Sequence, residues 1–265
     1  MLKQDSKTLW LMHNLQPLNA VTIWDSSVPL FIEHLAELFG GYVVYGMMDL
    51  FARYDQRPLH MDSRDMTTFN SPLGPHRLTT LSMGHTNTVQ IYQTDMAFIL
   101  QDEIPHHTMP FIDDLPVKSE TSQYQRPDGS YETIPENPGI RLFIWKHLTV
   151  VHRILQCLQN VNATILAKKF VLATLDATIV GHKCTSEGWV PHEAKIQKIG
   201  DWPECENLMQ VRKFLGTCRV LRIFIRNFAA IARLLVGLTR KGITFQAVRT
   251  VPLSLSSPGI HLWSH

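Results

Sequence analysis

The sequence predicts an α+β fold on three observations. Tyr42-Val43-Val44-Tyr45-Gly46-Met47-Met48-Asp49-Leu50-Phe51 is an apolar run with an acid near its end and reads as a strand. Met109-Pro110-Phe111-Ile112-Asp113-Asp114-Leu115-Pro116-Val117 sets two adjacent acids between strand-forming arms, the pattern of a hairpin with both acids at its bend. Phe143, Ile144, His147, Leu148, Val151, Ile154, Leu155 and Leu158 recur at helical spacing and form one apolar face. With 265 residues, 45% of them hydrophobic, the chain can bury one large core or two modest ones.

The other elements follow from local pattern. Residues 8–24 carry Trp10, Leu11, Leu15, Leu18 and Val21 interrupted by Asn14, Pro17 and Asn19, which predicts short extended pieces and loops. Val28 to Phe39 has helical spacing and a stop at Gly40-Gly41. Leu59 to Met61 and Thr67 to Phe69 predict a pair of strands, and Arg77 to Leu81 a further one after the Pro72-Pro75 turn. Ser82 to Asn87 is a glycine turn leading into a helix over Val89 to Leu100, capped by Thr86 or Asn87. Residues 118–139 predict a surface excursion with a turn at Asp128-Gly129, and the helix through Leu158 is expected to start at Asn137-Pro138. Thr164 to Leu172 and Ala177 to Cys184 read as strands; from Trp189-Val190-Pro191 the pattern turns helical, with a second helix over Leu208 to Leu215 stopping at Gly216. After Phe245 periodicity is lost.

Composition narrows the function classes only a little. A net charge of +2 and a pI near 8.3 leave any nucleic-acid surface to local clustering. Arg219, Arg222, Arg226 and Arg233, at spacings of three, four and seven, fall on one face of a helix, either a phosphate-facing stripe or a solvated polar face. The same arginines exclude a membrane span, and the polar residues of the first eighteen positions exclude a signal peptide, so an intracellular protein, cytoplasmic or nuclear, is expected. Cys157, Cys184, Cys205 and Cys218 are widely spaced and predict reduced thiols; His182 and Cys184 lack the remaining spacing of a zinc site.

Asp113-Asp114 allows two readings. Two like charges about 4 Å apart repel by roughly 4 kcal/mol at an effective dielectric near 20, a cost that divalent cations remove. The other reading is an exposed acidic loop.

Taken together, these stretches resemble the reverse transcriptase of gypsy-like long-terminal-repeat retrotransposon Pol polyproteins, in a version associated with fungal elements. The carriers are Leu15-Gln16-Pro17-Leu18-Asn19 at the start of the fingers, Asp49-Leu50-Phe51-Ala52-Arg53-Tyr54 as the first catalytic motif, and Leu81-Ser82-Met83-Gly84-His85-Thr86-Asn87 as the template and nucleotide loop. Phe111-Ile112-Asp113-Asp114 matches the aromatic-x-Asp-Asp signature, Val180-Gly181-His182 the primer grip, and Phe214-Leu215-Gly216 with Phe224 to Phe228 the segment after the palm. The resemblance implies a right-hand polymerase: fingers and an antiparallel palm over 1–183, a helical thumb- or connection-like segment over 184–242, and an irregular tail over 243–265 truncated before ribonuclease H.

It further implies RNA-directed DNA synthesis by two-metal nucleotidyl transfer from a dNTP to a primer 3′-hydroxyl on an RNA or DNA template. Asp49, Asp113 and Asp114 are the implied catalytic residues and ligands of two Mg2+ ions, with Mn2+ as a substitute. Tyr54 is the implied gate against a ribose 2′-hydroxyl, Met83 and Gly84 line the nucleotide, and Lys3 is a candidate phosphate contact. The chain departs from the pattern at four places: Trp10 stands where a basic residue is usual, Asn14 replaces an acid, Arg53 replaces the glycine before the gate, and Ser82 replaces a proline. With its acids intact and their surroundings altered, the chain is either a polymerase domain or a catalytically inactive retroelement remnant that at most binds nucleic acid. A two-metal nuclease would leave Tyr54 and the Gly84 loop without a purpose.

Overall fold

Alternation along one strand organises the molecule. The computed structural model describes residues 13–26, 32–51, 54–219, 221–225 and 227–240. Strand β1 (Tyr45–Asp49) lies between β4 (Asp114–Lys118) and β7 (Val171–Thr174), antiparallel to both. Because successive side chains point to opposite faces, Met48 and Leu50 join Leu115 and Val117 on one face, while Tyr45, Met47 and Asp49 stand opposite Lys118, Pro116 and Asp114 on the other.

Two helices supply the apolar partners of the first face. Tyr92 and Met96 come from α4 (Thr88–Ile99), and Val150, Val151, Ile154 and Leu158 from α5 (Leu142–Asn160). At about 25 cal/mol per Å2 of apolar area removed from water, burial of this layer stabilises the sheet. Gly46 allows the close packing: a Cβ there would meet the Leu172 carbonyl oxygen at 3.3 Å and His147 Nε2 at 3.4 Å. The opposite face packs Tyr45 against Leu35 and Phe39 of α2 (Ile32–Phe39) and against Ala177, Ile179 and Cys184. Those last residues belong to a second antiparallel sheet, β8 (Ala177–Ile179), β9 (His182–Thr185) and β10 (Gly188–Pro191).

Several predicted elements are corrected. Residues 16–21 form a short helix, α1 (Gln16–Val21), because Pro17 sits in its first turn, where a missing N–H costs nothing, and Asn14 Oδ1 accepts from the Gln16 N–H at 3.1 Å. Leu59 to Met61 leads into α3 (Met61–Arg64) and a 3-10 turn, and the hairpin that follows is β2 (Phe69–Ser71) with β3 (Gly74–His76). The Arg77 to Leu81 segment contributes only a bridge from Thr80 to Pro58. Asn137-Pro138 lies in β6 (Asn137–Arg141), paired with β5 (Thr133–Ile134), so α5 starts at Leu142. The Ala177 to Cys184 run is split by positive φ at Val180 and Gly181 into two strands.

Strands β9 and β10 extend to Pro191, and the helices of the C-terminal part begin at α6 (Glu193–Gly200). Helix α7 (Leu208–Arg219) passes through Gly216, and α8 (Phe228–Leu238) follows a 3-10 turn at 222–224. Ile199, Cys205, Val211, Phe214, Cys218 and Leu221 form its core. The arginine stripe does not exist as one helical face: Arg219 ends α7, Arg222 lies in the 3-10 turn, and Arg233 lies in α8 beyond Asn227, whose φ of 57° breaks helical continuity. Arg226 lies outside the described residues, as do Lys3, Trp10, Arg53 and residues 241–265.

The four cysteines are free, and burial pushes the Cys184 thiol up to about 12, away from the thiolate a metal would need. Among the described residues no helix is long and apolar enough to cross a membrane.

Candidate active site

The acids meet because of strand register. Asp49 is the direct antiparallel partner of Asp114, so their side chains lie abreast on one face of the sheet, the face not covered by α4 and α5. Asp113 sits one residue earlier, and its carbonyl accepts from the Leu50 N–H at 3.1 Å. Phe111 and Asp114 exchange backbone hydrogen bonds at 2.9 and 3.0 Å, which makes Ile112 and Asp113 the two residues of the bend. The expected hairpin is present, but only Asp113 is at the bend; Asp114 opens β4.

Ile112 takes the left-handed conformation there, with φ 57°. A β-branched side chain disfavours that region, so the turn needs an external hold. Gln93 of α4 provides it: its Oε1 accepts from the Ile112 N–H at 2.8 Å and its Nε2 donates to the Pro110 carbonyl at 2.7 Å. Sequence reasoning missed Gln93, because a lone glutamine on a helix carries no motif.

A second missed residue is Lys169. The Leu166 N–H donates to the Asp49 carbonyl at 2.8 Å, and the Phe51 N–H to the Thr164 carbonyl at 2.9 Å. These bonds zip residues 164–166 along the end of β1 and carry the 3-10 turn Ala167–Lys169 to the acids. Lys169 Nζ donates to Asp49 Oδ2 at 2.5 Å. That bond, helped by the nearby charges of Asp113 and Asp114, raises the Lys169 ammonium above the ordinary lysine value. One cation therefore feels all three carboxylates.

The donor set suits a hard divalent cation. Carboxylate oxygens favour Mg2+ or Mn2+ over the softer metals that take sulfur and imidazole. The ammonium of Lys169 is a built-in stand-in that reports the cation-attracting character of the group. Among the described residues, no three acids, histidines or cysteines are already gathered as ligands of one ion.

The predicted nucleotide loop docks on α1. The Asn19 amide donates to the Gly84 carbonyl and accepts from the Thr86 N–H, both at 2.9 Å, while Asn87 accepts from the Asp25 N–H at 3.0 Å and donates to the Ile23 carbonyl at 2.9 Å. Asn87 is thus the N-cap of α4 in position, but its side chain serves the segment after α1. His13, Asn14, Leu15, Gln16, Asn19 and Gly84 line a cavity of about 440 Å3. Gly84 is there for its φ of 94°, since a Cβ would meet nothing within 4 Å. Met83 is exposed. Tyr54 is 5% exposed and packs edge-on against Tyr92 at 5.5 Å, as part of the core beneath the sheet.

The fold defines a class. The structure superposes on foamy viral protease-reverse transcriptase in complex with double-stranded DNA with a TM-score of 0.73, at 19% identity over 90% of this chain and 38% of that one. For the same viral protein with an RNA/DNA hybrid the TM-score is 0.66, at 20% identity over 85% and 27%. The fold is that of a reverse transcriptase.

In sequence the chain is a homologue of retrotransposon Pol polyproteins. It is 24% identical over 242 residues to the Retrovirus-related Pol polyprotein from transposon 412 and 25% over 227 to that from transposon gypsy, both of Drosophila melanogaster. It is 22% identical over 261 residues to the Transposon Tf2-3 polyprotein of Schizosaccharomyces pombe. These alignments cover 91%, 84% and 96% of this chain but only 18%, 19% and 18% of the relatives, so the chain spans under a fifth of their length. No protein-family model matches it.

Proposed function

We propose that the chain is an RNA-directed DNA polymerase domain that adds deoxynucleotides to a primer 3′-hydroxyl on an RNA or DNA template. The observation that carries this reading is the in-register pairing of Asp49 with Asp114 beside the Asp113 bend, on the sheet face opposite α4 and α5. Asp49, Asp113 and Asp114 would hold two Mg2+ ions, for which Mn2+ can substitute. When bound, such ions lower the pKa of the attacking hydroxyl and neutralise charge on the transferred phosphate.

The protein's own part is positioning. Gln93 keeps the bend that aims Asp113, and Asn19 holds Gly84 and Thr86 beside the cavity assigned here to the nucleotide. The gate role against a ribose 2′-hydroxyl that the resemblance implies for Tyr54 draws no support from its position, buried against Tyr92 in the core on the sheet face away from Asp49 and Asp114. The same reading gives fingers and palm residues 1–183 and a thumb- or connection-like role to 184–242, a segment whose helices run from Glu193 to Leu238. Met83 is assigned to the nucleotide surface; Lys3 and Arg226 lie outside the described residues.

The Lys169 contact favours a second reading, an inactive remnant that retains nucleic-acid binding, because Asp49 already has a cationic partner. Primer extension on an RNA template with Mg2+ or Mn2+ separates the two. The first reading expects extension in the intact chain and none with Asp113→Asn. Extension no greater than that of Asp113→Asn, with template still bound, establishes the remnant.

A further inference from the structure

Lys169 carries a consequence for the acids it touches. Its side chain is 63% exposed, so no packing locks the ammonium in place, whereas Asp49 is only 13% exposed. The backbone that brings Lys169 there is fixed by the Asp49–Leu166 and Phe51–Thr164 hydrogen bonds, so the lysine is tethered beside Asp49 whether or not the ion pair is made. Oδ2 of Asp49 is the atom engaged, and an oxygen that accepts a charge-assisted bond at 2.5 Å is poorly placed to ligate a metal as well.

We propose that Lys169 is an intramolecular competitor for the divalent cation at Asp49, so that an ion must displace its ammonium before it can bind there. The inference rests on the reading of Asp49, Asp113 and Asp114 as a cation site. Charge decides the direction: the ammonium brings one positive charge to the acids and a divalent ion two, and both cannot sit within bonding distance of one carboxylate oxygen without strong mutual repulsion. Competition from a tethered, solvated side chain is modest in size, since exposed ion pairs are worth little and are screened by salt. Lys169 therefore weakens metal binding in the free protein without abolishing it, and it tunes how much divalent ion the site needs.

The test is Mn2+ binding to the 265-residue chain, read from the free-ion signal by electron paramagnetic resonance without nucleotide or primer. Lys169→Met keeps an apolar stem of similar length and removes the charge; Lys169→Arg keeps the charge. The expected result is that Lys169→Met binds Mn2+ about three- to tenfold more tightly than the parent, the order set by removing one solvent-screened positive charge. Lys169→Arg should stay close to the parent, and Asp49→Asn in the Lys169→Met background should cancel the gain. Equal or weaker binding by Lys169→Met, with the parent's binding still lost in Asp49→Asn, overturns the competition while leaving the cation site in place. Mn2+ binding that is absent, or indifferent to Asp49→Asn and Asp113→Asn in every background, overturns the cation-site reading and the competition with it.

Discussion

At the scale of single residues, the candidate site depends on side chains that carry no motif. Gln93 satisfies the Ile112 N–H and the Pro110 carbonyl at a bend whose φ of 57° an isoleucine would otherwise avoid. Gln93→Ala removes two hydrogen bonds, each worth about 0.5–1.5 kcal/mol net, so urea unfolding should show a loss of about 1–2 kcal/mol. Primer extension should fall further than that loss of stability explains, because Asp113 shares the bend. Gly84 makes a complementary case. Gly84→Ala meets no neighbour, yet it forces an alanine into a φ of 94°, and a destabilisation of about 1–2 kcal/mol in the same assay is expected from backbone conformation alone.

At the scale of elements, α1 and the loop before α4 act as a clipped pair. Asn19 bonds the Gly84 carbonyl and the Thr86 N–H, on either side of His85, and Asn87 bonds back to residues 23 and 25, so each segment satisfies polar backbone of the other. Asn19→Ala leaves the Thr86 N–H and the Gly84 carbonyl without those partners. Faster amide hydrogen exchange across residues 82–87, with protection in α5 unchanged, is the expected readout. The pattern of residues 8–24 reads as extended pieces because Pro17 and two asparagines break its apolar run. Its helix escaped that reading because proline is tolerated in a first turn and the Asn14 side chain, just before the N-cap Leu15, accepts from the first helical N–H.

At the scale of the whole molecule, partly and fully buried histidines couple stability to pH. Burial lowers the imidazole pKa of His85, His107 and His147 below the ordinary value of 6.5. His147 is fully buried; its Nε2–H donates to the Leu172 carbonyl at 3.0 Å and Nδ1 accepts from the Ser119 hydroxyl at 3.0 Å, so the neutral ring is the form the core uses. As pH falls below 6.5 the unfolded chain takes up these protons before the folded one does, and stability drops until the lowered folded values are reached; above 6.5 the contribution is constant. Thermal melts between pH 5 and 8 should therefore show a falling midpoint on the acid side of about 6.5. His147→Gln should flatten part of that slope.

Much of this protein was legible in its sequence because the pattern there is periodic. The run ending at Asp49, the hairpin around Asp113 and Asp114, and the apolar face of α5 each follow from a repeat of two or of about 3.6 residues, and the order of their motifs already pointed to the reverse-transcriptase fold. Tertiary structure alone decided which acid faces which. The one-residue register of β1 against β4 puts Asp49 opposite Asp114, and chain reversal at Ile112 and Asp113 leaves only one acid at the bend. It also decided that Lys169, 120 residues along the chain from Asp49, bonds to that acid, and that Asn227 breaks the would-be arginine stripe. Local spacing encodes which face of an element is apolar, but contact between distant segments depends on register and on backbone bonds, which no window of sequence contains.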